Sequence, residues 1–442
     1  MKEFGEFHRP DIETMAREEL VRLQLGRLKG QLKKCYEGSE FYRCRFDEIG
    51  LKPEDIRCLD DVEKIPPVTK DELREEQIDN PPLGRYVVAP QKDWRELHPS
   101  TGTTGVPVNT IWTEKDVENI TQWTIRTLWT SGVRPGDIIQ NSFAYGLWVA
   151  GMSSHYAAKQ LGCFILPIGA TMTERQIEYF QRPGSTVLLA TPSYALFLSE
   201  RMRQKGISGE QIPLRMGIFG GEAGAEVPAS RRKIEEGLGI EAYDYYGLAE
   251  IGPTIASECR QKDGIHWVED HVLVEIVDKD TKKRCAPGEI GVLILTHLTK
   301  EGTPLIRYWT NDYARLVFNK CACGRTHARS PGGILGRADD MIIYKGENFY
   351  PAQVEKVVRG FPELSAEYVV RLTTHEQSGA DVVTVVAENA TEEACTEEFK
   401  SRLKQALREE LVVTPEVEIL KLGTLARTEF KAKRIEDMRK KD

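Results

Sequence analysis

The sequence has no long apolar run, because no stretch reaches the about 18 consecutive apolar residues that a membrane-spanning helix needs. Its first residues, Met1-Lys-Glu-Phe-Gly-Glu-Phe-His8, also lack the apolar stretch of a secretory signal peptide. From these two absences we expect a protein that neither spans a membrane nor is secreted, and that acts in the cytoplasm.

An excess of basic charge is missing too. The 442 residues include 60 Lys and Arg against 68 Asp and Glu, a net charge of −8 at pH 7. Mild acidity disfavours a nucleic-acid partner. The nine cysteines are odd in number and scattered, which is typical of a reducing cytoplasm and not of a disulfide framework.

What the chain does contain is an alternation of helical and strand-like segments between residues 113 and 221. Its predicted helices are 114–131, 151–161, 174–180 and 193–205, and its predicted strands are 137–143, 163–168, 186–190 and 216–219. This rhythm predicts an α/β fold with a parallel sheet and crossover helices. An amphipathic helix capped by Asp11 is predicted over residues 11–36, a Thr69-capped helix after it, and a strand over 106–112.

Beyond Gly247 the pattern changes to short strands at residues 272–277, 291–296 and 313–317, which predict a β-rich subdomain. The polar motif Gly336-Arg-Ala-Asp-Asp340 marks the predicted boundary between an N-terminal domain, 1–336, and a small α+β module, 337–442. Within that module the predicted strands are 341–344, 366–372 and 381–387, and the predicted helices are 351–358 and 392–411.

One segment, Ser100-Thr-Gly-Thr-Thr-Gly105, carries no bulky side chain. Its glycines let the backbone approach an anion, and its hydroxyl and N–H groups can donate to phosphate oxygens. No lysine follows the second glycine, so this is not a GxxxxGK[ST] loop. These residues alone leave two interpretations open, a phosphate-binding loop and a surface turn.

Four more clusters follow in chain order: Tyr245-Tyr-Gly-Leu-Ala-Glu250, Arg307-Tyr-Trp-Thr-Asn-Asp312, Gly336-Arg-Ala-Asp-Asp340 and Arg427-Thr-Glu-Phe-Lys-Ala-Lys-Arg434. Taken singly, each also fits a structural role: a core tyrosine pair, an exposed turn, a linker and a solvated tail.

Together these clusters resemble the acyl-adenylate-forming superfamily, and within it the phenylacetate–coenzyme A ligase family. Further motifs that carry the resemblance are Phe41-Tyr42, Pro53-Glu-Asp55, Pro66-Pro-Val-Thr-Lys70, Tyr145-Gly-Leu147, Thr191-Pro-Ser-Tyr194, Gly264-Ile-His266, Glu269-Asp-His271, Pro304-Leu-Ile-Arg-Tyr308 and Cys321-Ala-Cys-Gly-Arg325. The resemblance implies a large adenylation domain with a small mobile C-terminal domain. It also implies an enzyme that forms an acyl-adenylate from ATP and a carboxylic acid, then transfers the acyl group to coenzyme A.

The resemblance assigns nucleotide binding to Ser100, Thr101, Gly102, Thr103, Thr104, Gly105, Gly221, Glu222, Tyr245, Tyr246, Gly247, Glu250, Asp312 and Arg337. Within this set it implies that Glu250 binds Mg²⁺, that Tyr246 flanks the adenine, and that Asp312 accepts hydrogen bonds from the ribose hydroxyls. Val106 stands where a lysine often follows the phosphate loop, so the phosphates are expected to be held differently.

The resemblance makes Asp339 a hinge between two domain orientations and Lys431 a catalytic lysine, acting with Glu250 and Arg337. The family usually places a glycine just before this lysine, whereas this chain has Phe430. Lys433 is therefore a competing candidate, and a solvated tail is the structural alternative.

A metal centre is predicted from Cys259, His266, Cys321 and Cys323, a Cys₃His set typical of structural zinc, which some relatives carry here. Free thiols are the alternative, and His271 and His327 are reserve ligands. The remaining cysteines fit ordinary thiols: Cys35, Cys44, Cys58, Cys163, Cys285 and Cys395.

The acid pocket is expected to be lined by Phe143, Tyr145, Gly146, Leu147, Trp148, Ala223, Gly224, Ile251 and Pro253. Aromatic walls favour an aryl or arylacetic acid, whereas the bulk of Trp148 favours a small branched or hydroxy acid. Each aromatic residue also fits a core role.

The expected protein is an ATP-dependent, AMP-forming acid–coenzyme A ligase that uses ATP, coenzyme A, Mg²⁺ and structural Zn²⁺. The alternatives are an adenylating enzyme with another acyl acceptor and a catalytically silent nucleotide-binding relative. The resemblance is also compatible with a homodimer.

Overall fold

A computed structural model describes residues 4–100, 106–170, 172–338, 342–344, 347–375, 381–427 and 434–439. The chain divides into two compact units. The first consists of Met1–Gly169, Val187–Leu189 and Tyr243–Ile334, and the second of Ala170–Thr186, Ala190–Ala242 and Leu335–Asp442. In the described ranges, no helix combines the length and apolarity that crossing a membrane requires.

Some helices of the first unit begin where a short polar side chain caps them. The Thr69 hydroxyl accepts a hydrogen bond from the Glu72 N–H at 3.2 Å, and the Glu72 carboxylate accepts one from the Thr69 N–H at 2.7 Å. Thr113 and Asp116 form the same reciprocal pair. The helices of this unit are α1 Pro10–Glu13, α2 Arg17–Gly38, α3 Glu40–Glu48, α4 Lys70–Asp79, α5 Glu114–Ser131 and α6 Val149–Leu161.

The helices of the second unit are α7 Thr173–Gln181, α8 Pro192–Gln204, α9 Pro228–Leu238, α10 Pro351–Gly360 and α11 Glu397–Leu411. In chain order the strands are β1 Trp94–Pro99, β2 Asn109–Thr113, β3 Ile138–Asn141, β4 Phe164–Leu166, β5 Val187–Ala190, β6 Met216–Phe219, β7 Glu241–Leu248, β8 Gly252–Glu258, β9 Ile265–Trp267, β10 Val272–Val277, β11 Ile290–His297, β12 Tyr308–Arg315, β13 Arg329–Ser330, β14 Gly336–Arg337, β15 Ile342–Tyr344, β16 Glu347–Phe349, β17 Leu364–Thr374, β18 Asp381–Asn389, β19 Glu416–Leu420 and β20 Ile435–Asp437.

The first unit combines parallel and antiparallel pairing. Strand β3 pairs in parallel with β4 and with β5. Strands β7, β8, β9 and β13 follow one another as antiparallel neighbours, as do β10, β11 and β12, while β1 and β2 form a separate antiparallel pair. Their buried aromatic and aliphatic side chains, such as Trp112, Trp267 and Leu295, share one apolar core.

The C-terminal part of the second unit has a sheet with strand order β19-β18-β17-β20. Helices α10 and α11 contribute Val354 and Phe399 to its own apolar core. Within this unit the module also contacts α9, because Arg359 Nη1 donates to the Ser230 hydroxyl at 2.8 Å. Lys233 Nζ donates to the Leu364 carbonyl at 3.2 Å, and burial lowers the pKa of this lysine to about 8.

The predicted α/β class, with parallel strands and a C-terminal α+β module, is confirmed. One helix prediction is wrong: residues 11–36 form two helices, not one, and Asp11 caps neither. Pro10 occupies the first helical position, so Asp11 lies inside the first turn and Glu13 accepts the Arg9 N–H at 2.7 Å. The domain boundary after residue 336 stays a prediction, although the last segment of the second unit begins at Leu335.

Candidate functional site

Tyr246 and Asp312 meet in the first unit, although they lie on strands β7 and β12. The Tyr246 hydroxyl donates to Asp312 Oδ2 at 2.5 Å, and the Asp312 N–H donates to the Thr310 hydroxyl at 3.0 Å. Asp312 is buried, and Asn311 before it has a φ of +64°, a backbone conformation that turns the following residue out of regular strand geometry. The predicted adenine and ribose residues are therefore neighbours.

Glu250 lies in the tight turn between β7 and β8 and is buried beside a cation. Its Oε1 is 2.9 Å from Lys70 Nζ. Lys70 is the first residue of α4, and its position is set by Val68, which exchanges backbone hydrogen bonds with the Arg307 carbonyl and the Trp309 N–H, each at 2.9 Å. The lysine compensates the buried carboxylate, and carboxylate oxygen is the ligand type that hard cations prefer.

The glycine of the same motif has a packing reason. A Cβ at Gly247 would lie 2.5 Å from the backbone nitrogen of Thr254, so the turn closes only with glycine at this position. Tyr245, one residue before Tyr246, points to the opposite side of the strand. It is buried against Phe143, with ring centroids 5.7 Å apart, and burial raises its pKa.

Ser100 closes the base of the predicted phosphate loop. Its N–H donates to the Val108 carbonyl at 2.7 Å, and its hydroxyl accepts from the Val108 N–H at 3.0 Å. Helix α4 holds the residues that follow the predicted loop. Arg74 Nε donates to the Val106 carbonyl at 3.0 Å, and Gln77 Nε2 donates to the Pro107 carbonyl at 2.8 Å. Two positively charged side chains of α4, Lys70 and Arg74, thus belong to the site.

The segment of residues 143–148, which we call the aromatic segment, joins β3 to α6. Asn141 Nδ2 donates to the Tyr145 hydroxyl at 2.9 Å and to the Gly151 carbonyl at 3.0 Å. A Cβ at Gly151 would lie 2.2 Å from the Ala144 carbonyl oxygen, so a larger residue would push the segment away. Phe143 is buried, Tyr145 and Trp148 are half-buried, and burial raises the pKa of Tyr145 to about 12.

The other predicted pocket residues of the first unit lie beside Glu250. Ile251 is buried, and the Pro253 carbonyl accepts a hydrogen bond from Trp123 Nε1 at 2.8 Å. Gly146 has a φ of +80°, and Leu147 is 62% exposed. Gly146 and Leu147 thus belong to the aromatic segment, whereas Ile251 and Pro253 follow Glu250 in the chain.

The remaining described site residues belong to the second unit. Gly221, Glu222, Ala223 and Gly224 follow strand β6, where a parallel strand presents its carboxyl end. Glu222 Oε1 accepts from the Ser193 N–H at 2.8 Å, at the first turn of α8. Arg337 lies half-buried in β14.

Cys259, His266, Cys321 and Cys323 converge in the first unit, with all four ligand atoms within 4.8 Å of one another. Cys259 Sγ is 3.8 Å from Cys321 Sγ, and Cys323 Sγ is 3.6 Å from His266 Nε2. The hydrogen bond between the Cys259 and Cys323 side chains lowers the pKa of Cys323 and raises the pKa of Cys259. Burial lowers the pKa of His266. A thiolate and a neutral imidazole are the forms that bind a metal ion.

The reserve histidines have other partners. His271 Nδ1 lies 2.8 Å from the Thr299 hydroxyl, and His327 contacts the Trp267 and Ile12 carbonyls at 2.9 and 3.1 Å. The Cys₃His set is therefore assembled without them. The predicted site residues Thr101, Gly102, Thr103, Thr104, Gly105, Asp339 and Lys431, with the competing Lys433, lie outside the described residues.

Sequence reasoning missed Lys70, Arg74 and His98 as site residues. Lys70 ends the motif Pro66-Pro-Val-Thr-Lys70, and Arg74 lies one turn further along α4. Two signals were present: Lys70 belongs to a motif that carries the resemblance, and Val106 in place of a lysine indicated that the phosphates are held differently.

Comparisons with known proteins identify the family of the chain. Residues 54–297 match the family described as AMP-binding enzyme, and residues 346–439 match the AMP-binding enzyme C-terminal domain. The phenylacetate-coenzyme A ligase of Thermus thermophilus is 38% identical, over 98% of this chain and 100% of its own length. That of Escherichia coli (strain K12) is 37% identical, over 97% of each chain.

A solved structure extends the similarity to three dimensions. 2-Hydroxyisobutyryl-CoA ligase, in the postadenylation state with 2-HIB-AMP, is similar with a TM-score of 0.92 and 29% identity. The match covers 98% of this chain and 92% of that chain. Similarity in sequence and in structure thus extends over nearly the whole length.

Proposed function

Since the chain belongs to the phenylacetate–coenzyme A ligase family of AMP-binding enzymes, we propose that it activates a small aromatic carboxylic acid. The protein is an AMP-forming acid–coenzyme A ligase that uses ATP and coenzyme A. The acid and ATP first give an acyl-adenylate and pyrophosphate. Coenzyme A then takes the acyl group and AMP is released.

The aromatic segment is the observation that carries the choice of acid. Phe143 is buried at its base, and the half-buried Tyr145 and Trp148 follow within five residues. Flat aromatic side chains favour an aromatic ring as their partner. The relatives named above act on phenylacetate, an acid of this class.

A small 2-hydroxy acid is the second candidate. Trp148 is a large side chain for the wall of a phenylacetate pocket, and it packs against the core of the first unit. The structural relative with a TM-score of 0.92 is a 2-hydroxyisobutyryl-CoA ligase. A pocket shortened by Trp148 would fit such an acid.

Adenylation joins two anions, so the proposed roles concern charge. Glu250 would hold Mg²⁺, a hard cation that prefers carboxylate oxygen and neutralises phosphate charge when bound. Lys70 and Arg74 add positive charge beside the loop whose base is Ser100. Thr101, Gly102, Thr103, Thr104 and Gly105 would then bind the β- and γ-phosphates.

The nucleoside would lie near Tyr246 and Asp312. The Asp312 carboxylate can accept hydrogen bonds from two ribose hydroxyls, and the Tyr246 ring can flank the adenine. We assign Tyr245 and Gly247 to the support of this strand, and Gly221 and Glu222 to the adenine edge. We also propose acid contacts for Gly146, Leu147, Ile251 and Pro253 of the first unit and for Ala223 and Gly224 of the second.

The C-terminal domain, residues 337–442, would supply Arg337 and the catalytic lysine. Lys431 is proposed for the carboxylate and α-phosphate, with Lys433 as competitor, and Asp339 as the hinge. The rates of pyrophosphate release by Lys431→Ala and Lys433→Ala distinguish the two candidates. The variant that loses adenylation identifies the catalytic lysine. A cytoplasmic location and a homodimer also stay proposals.

We propose structural zinc for Cys259, His266, Cys321 and Cys323. Three sulfur ligands and one imidazole are a set that Zn²⁺ prefers in closed four-coordinate sites. The bound ion would supply no chemistry to the acid, and its expected effect is on folding.

The experiment is an acid panel with purified protein, ATP and Mg²⁺, measuring pyrophosphate and AMP with and without coenzyme A. Phenylacetate and benzoate represent the first class, and 2-hydroxyisobutyrate the second. Preference for an aromatic acid, with AMP release that requires coenzyme A, supports the proposal. Preference for 2-hydroxyisobutyrate favours the second candidate, a small 2-hydroxy acid. If no acid gives pyrophosphate, both candidate acid classes are contradicted.

A further inference from the structure

His98 lies in β1, two residues before Ser100, and its ring is buried. The side chain is 3% exposed and packs on the Trp112 ring of β2, with ring centroids 4.1 Å apart. Strands β1 and β2 pair through His98 and Thr110. The ring therefore has a defined place at the start of the proposed phosphate-binding loop.

One ring nitrogen of His98 reaches the aromatic segment. Nδ1 lies 3.1 Å from the Leu147 carbonyl oxygen. A carbonyl oxygen only accepts hydrogen bonds, so Nδ1 carries a hydrogen and donates it to Leu147. Because the Leu147 side chain points largely into solvent, His98 holds the backbone of this residue and not its side chain.

The other ring nitrogen of His98, Nε2, contacts the carboxylate of Glu96 in the same strand. Nε2 lies 2.9 Å from Glu96 Oε2, and Glu96 Oε1 accepts the Tyr156 hydroxyl of α6 at 2.8 Å. Burial opposes the charge of Glu96, but the hydrogen bonds from His98 and Tyr156 hold its pKa below the ordinary value. A carboxylate fixed at both oxygens keeps the imidazole in one orientation.

The aromatic segment is thus held at both ends. Asn141 and the close approach of Gly151 to Ala144 hold its beginning against β3 and α6. His98 holds its end against β1. The backbone of Gly146, with φ of +80°, lies between these two attachments.

We propose that His98 is a positioning residue for adenylation, which sets the place of the aromatic segment relative to the phosphate-binding loop. The reason is geometric: reacting groups must lie about 3–3.5 Å apart, and a misplacement of about 1 Å costs about 100-fold in rate. This inference rests on the function proposed above, because it needs the aromatic segment to bind the acid.

Two matched variants of the full-length protein test it. In His98→Asn the side-chain amide occupies the place of Nδ1 and can still donate to Leu147, whereas in His98→Gln it reaches toward Glu96 instead. We expect His98→Gln to lose about 100-fold in kcat/KM for the acid in pyrophosphate release, and His98→Asn to recover to within about fivefold of wild type. The KM for ATP and the rate of thioester formation from supplied acyl-adenylate should change by less than about twofold in both variants.

Equal losses in both variants, or losses that follow the melting temperature, would mean that the ring only packs on Trp112, and would overturn the proposal. His271→Asn is the matched control, since His271 is half-buried and its Nδ1 lies 2.8 Å from the Thr299 hydroxyl, outside the site. It should lower the melting temperature without raising the KM for the acid. Tyr156→Phe, a milder variant, should raise that KM by a smaller factor.

Hydrogen exchange over residues 143–148 tests the contact without any substrate. Faster exchange in His98→Gln than in His98→Asn supports the link to Leu147, even if no acid in the panel is activated. Equal exchange in the two variants contradicts it. Failure of the acid assignment and failure of this inference therefore give different results.

Discussion

Two groups of largely buried polar side chains in the first unit differ in what surrounds them. Glu250 and Asp312 each have a partner of complementary character, the Lys70 ammonium at 2.9 Å and the Tyr246 hydroxyl at 2.5 Å. The cysteine–histidine centre is different, because its donors face one another. Cys259 and Cys321 are 3.8 Å apart, and His266 is 3.6 Å from Cys323.

The difference indicates two uses of buried polar groups. A buried carboxylate that already has a partner is compensated in the protein interior. That partner can be exchanged for another when nucleotide and Mg²⁺ bind. Four donor atoms that converge on one point form a ligand set that a shared cation would complete. The first arrangement fits a site that turns over, and the second fits a permanent structural centre.

The comparison is tested most strongly at Glu250. Glu250→Gln keeps the shape but removes the charge, and we expect pyrophosphate release to fall by about 100-fold to 1000-fold. Glu410→Gln is the matched control, because Glu410 pairs with Lys356 at 2.7 Å outside the site. A Glu250→Gln enzyme with more than half of the wild-type rate would remove the carboxylate from the proposed mechanism.

The cysteine–histidine centre should respond in stability instead of catalysis. In Cys321→Ser with Cys323→Ser, elemental analysis should find zinc lost, and the melting temperature should fall by about 3–5 °C, of the order expected for about 3–5 kcal/mol in 442 residues. Adenylation per folded molecule should change by less than about threefold.

The exposed Cys44 and Cys395 provide the control pair, since their serine variants should keep both zinc and melting temperature. Wild-type protein should contain zinc when it is prepared without added metal or chelator. If it contains none, the proposed zinc centre is wrong.

Lys70 should have an intermediate effect. Lys70→Met removes the charge beside Glu250, and we expect about a tenfold loss in kcat/KM for ATP, which corresponds to about 1.4 kcal/mol. Lys70→Arg should recover part of it, because the charge returns with different geometry. Steady-state kinetics with varied ATP measures kcat/KM for both variants. An unchanged kcat/KM for ATP in Lys70→Met would mean that Lys70 pairs with Glu250 only in the absence of nucleotide.

Tyr246 should give the smallest change. Tyr246→Phe removes one hydrogen bond to Asp312 and keeps the ring, so a loss of about 1 kcal/mol should raise the KM for ATP about fivefold. Tyr36→Phe is the control, because Tyr36 donates to Asp47 at 2.8 Å on the surface. Similar KM values in the two variants would contradict a role of the Tyr246 hydroxyl in holding Asp312.

Much of the fold was predictable because its signals are local. The helix Glu114–Ser131 has the predicted bounds, since Thr113 and Asp116 cap its start and Gly132 adopts a φ of +114° after its end. Strand Met216–Phe219 likewise matches its apolar run. Strands β8 and β9 were missed, because every residue in them is buried and no apolar–polar alternation remains.

The candidate site was predictable in its members and less so in its contacts. The cysteine pair at Cys321 and Cys323 is visible as a short motif, and Cys259 and His266 complete it as expected. By contrast, no local pattern joins Lys70 to Glu250, or His98 to Leu147. These pairs form because segments that are distant in the chain pack together in the folded unit.

The sequence by itself determined the α/β class, the family, the order of the motifs and the capped helices. Those properties depend on periodicity, turn chemistry and short motifs, whose physics acts over a few residues. Only the tertiary structure decided which groups meet: that Lys70 pairs with Glu250, that Tyr246 bonds Asp312, and that His98 holds the backbone of Leu147. The physical reason is that burial and backbone pairing across the sheets choose the partner of each buried polar group.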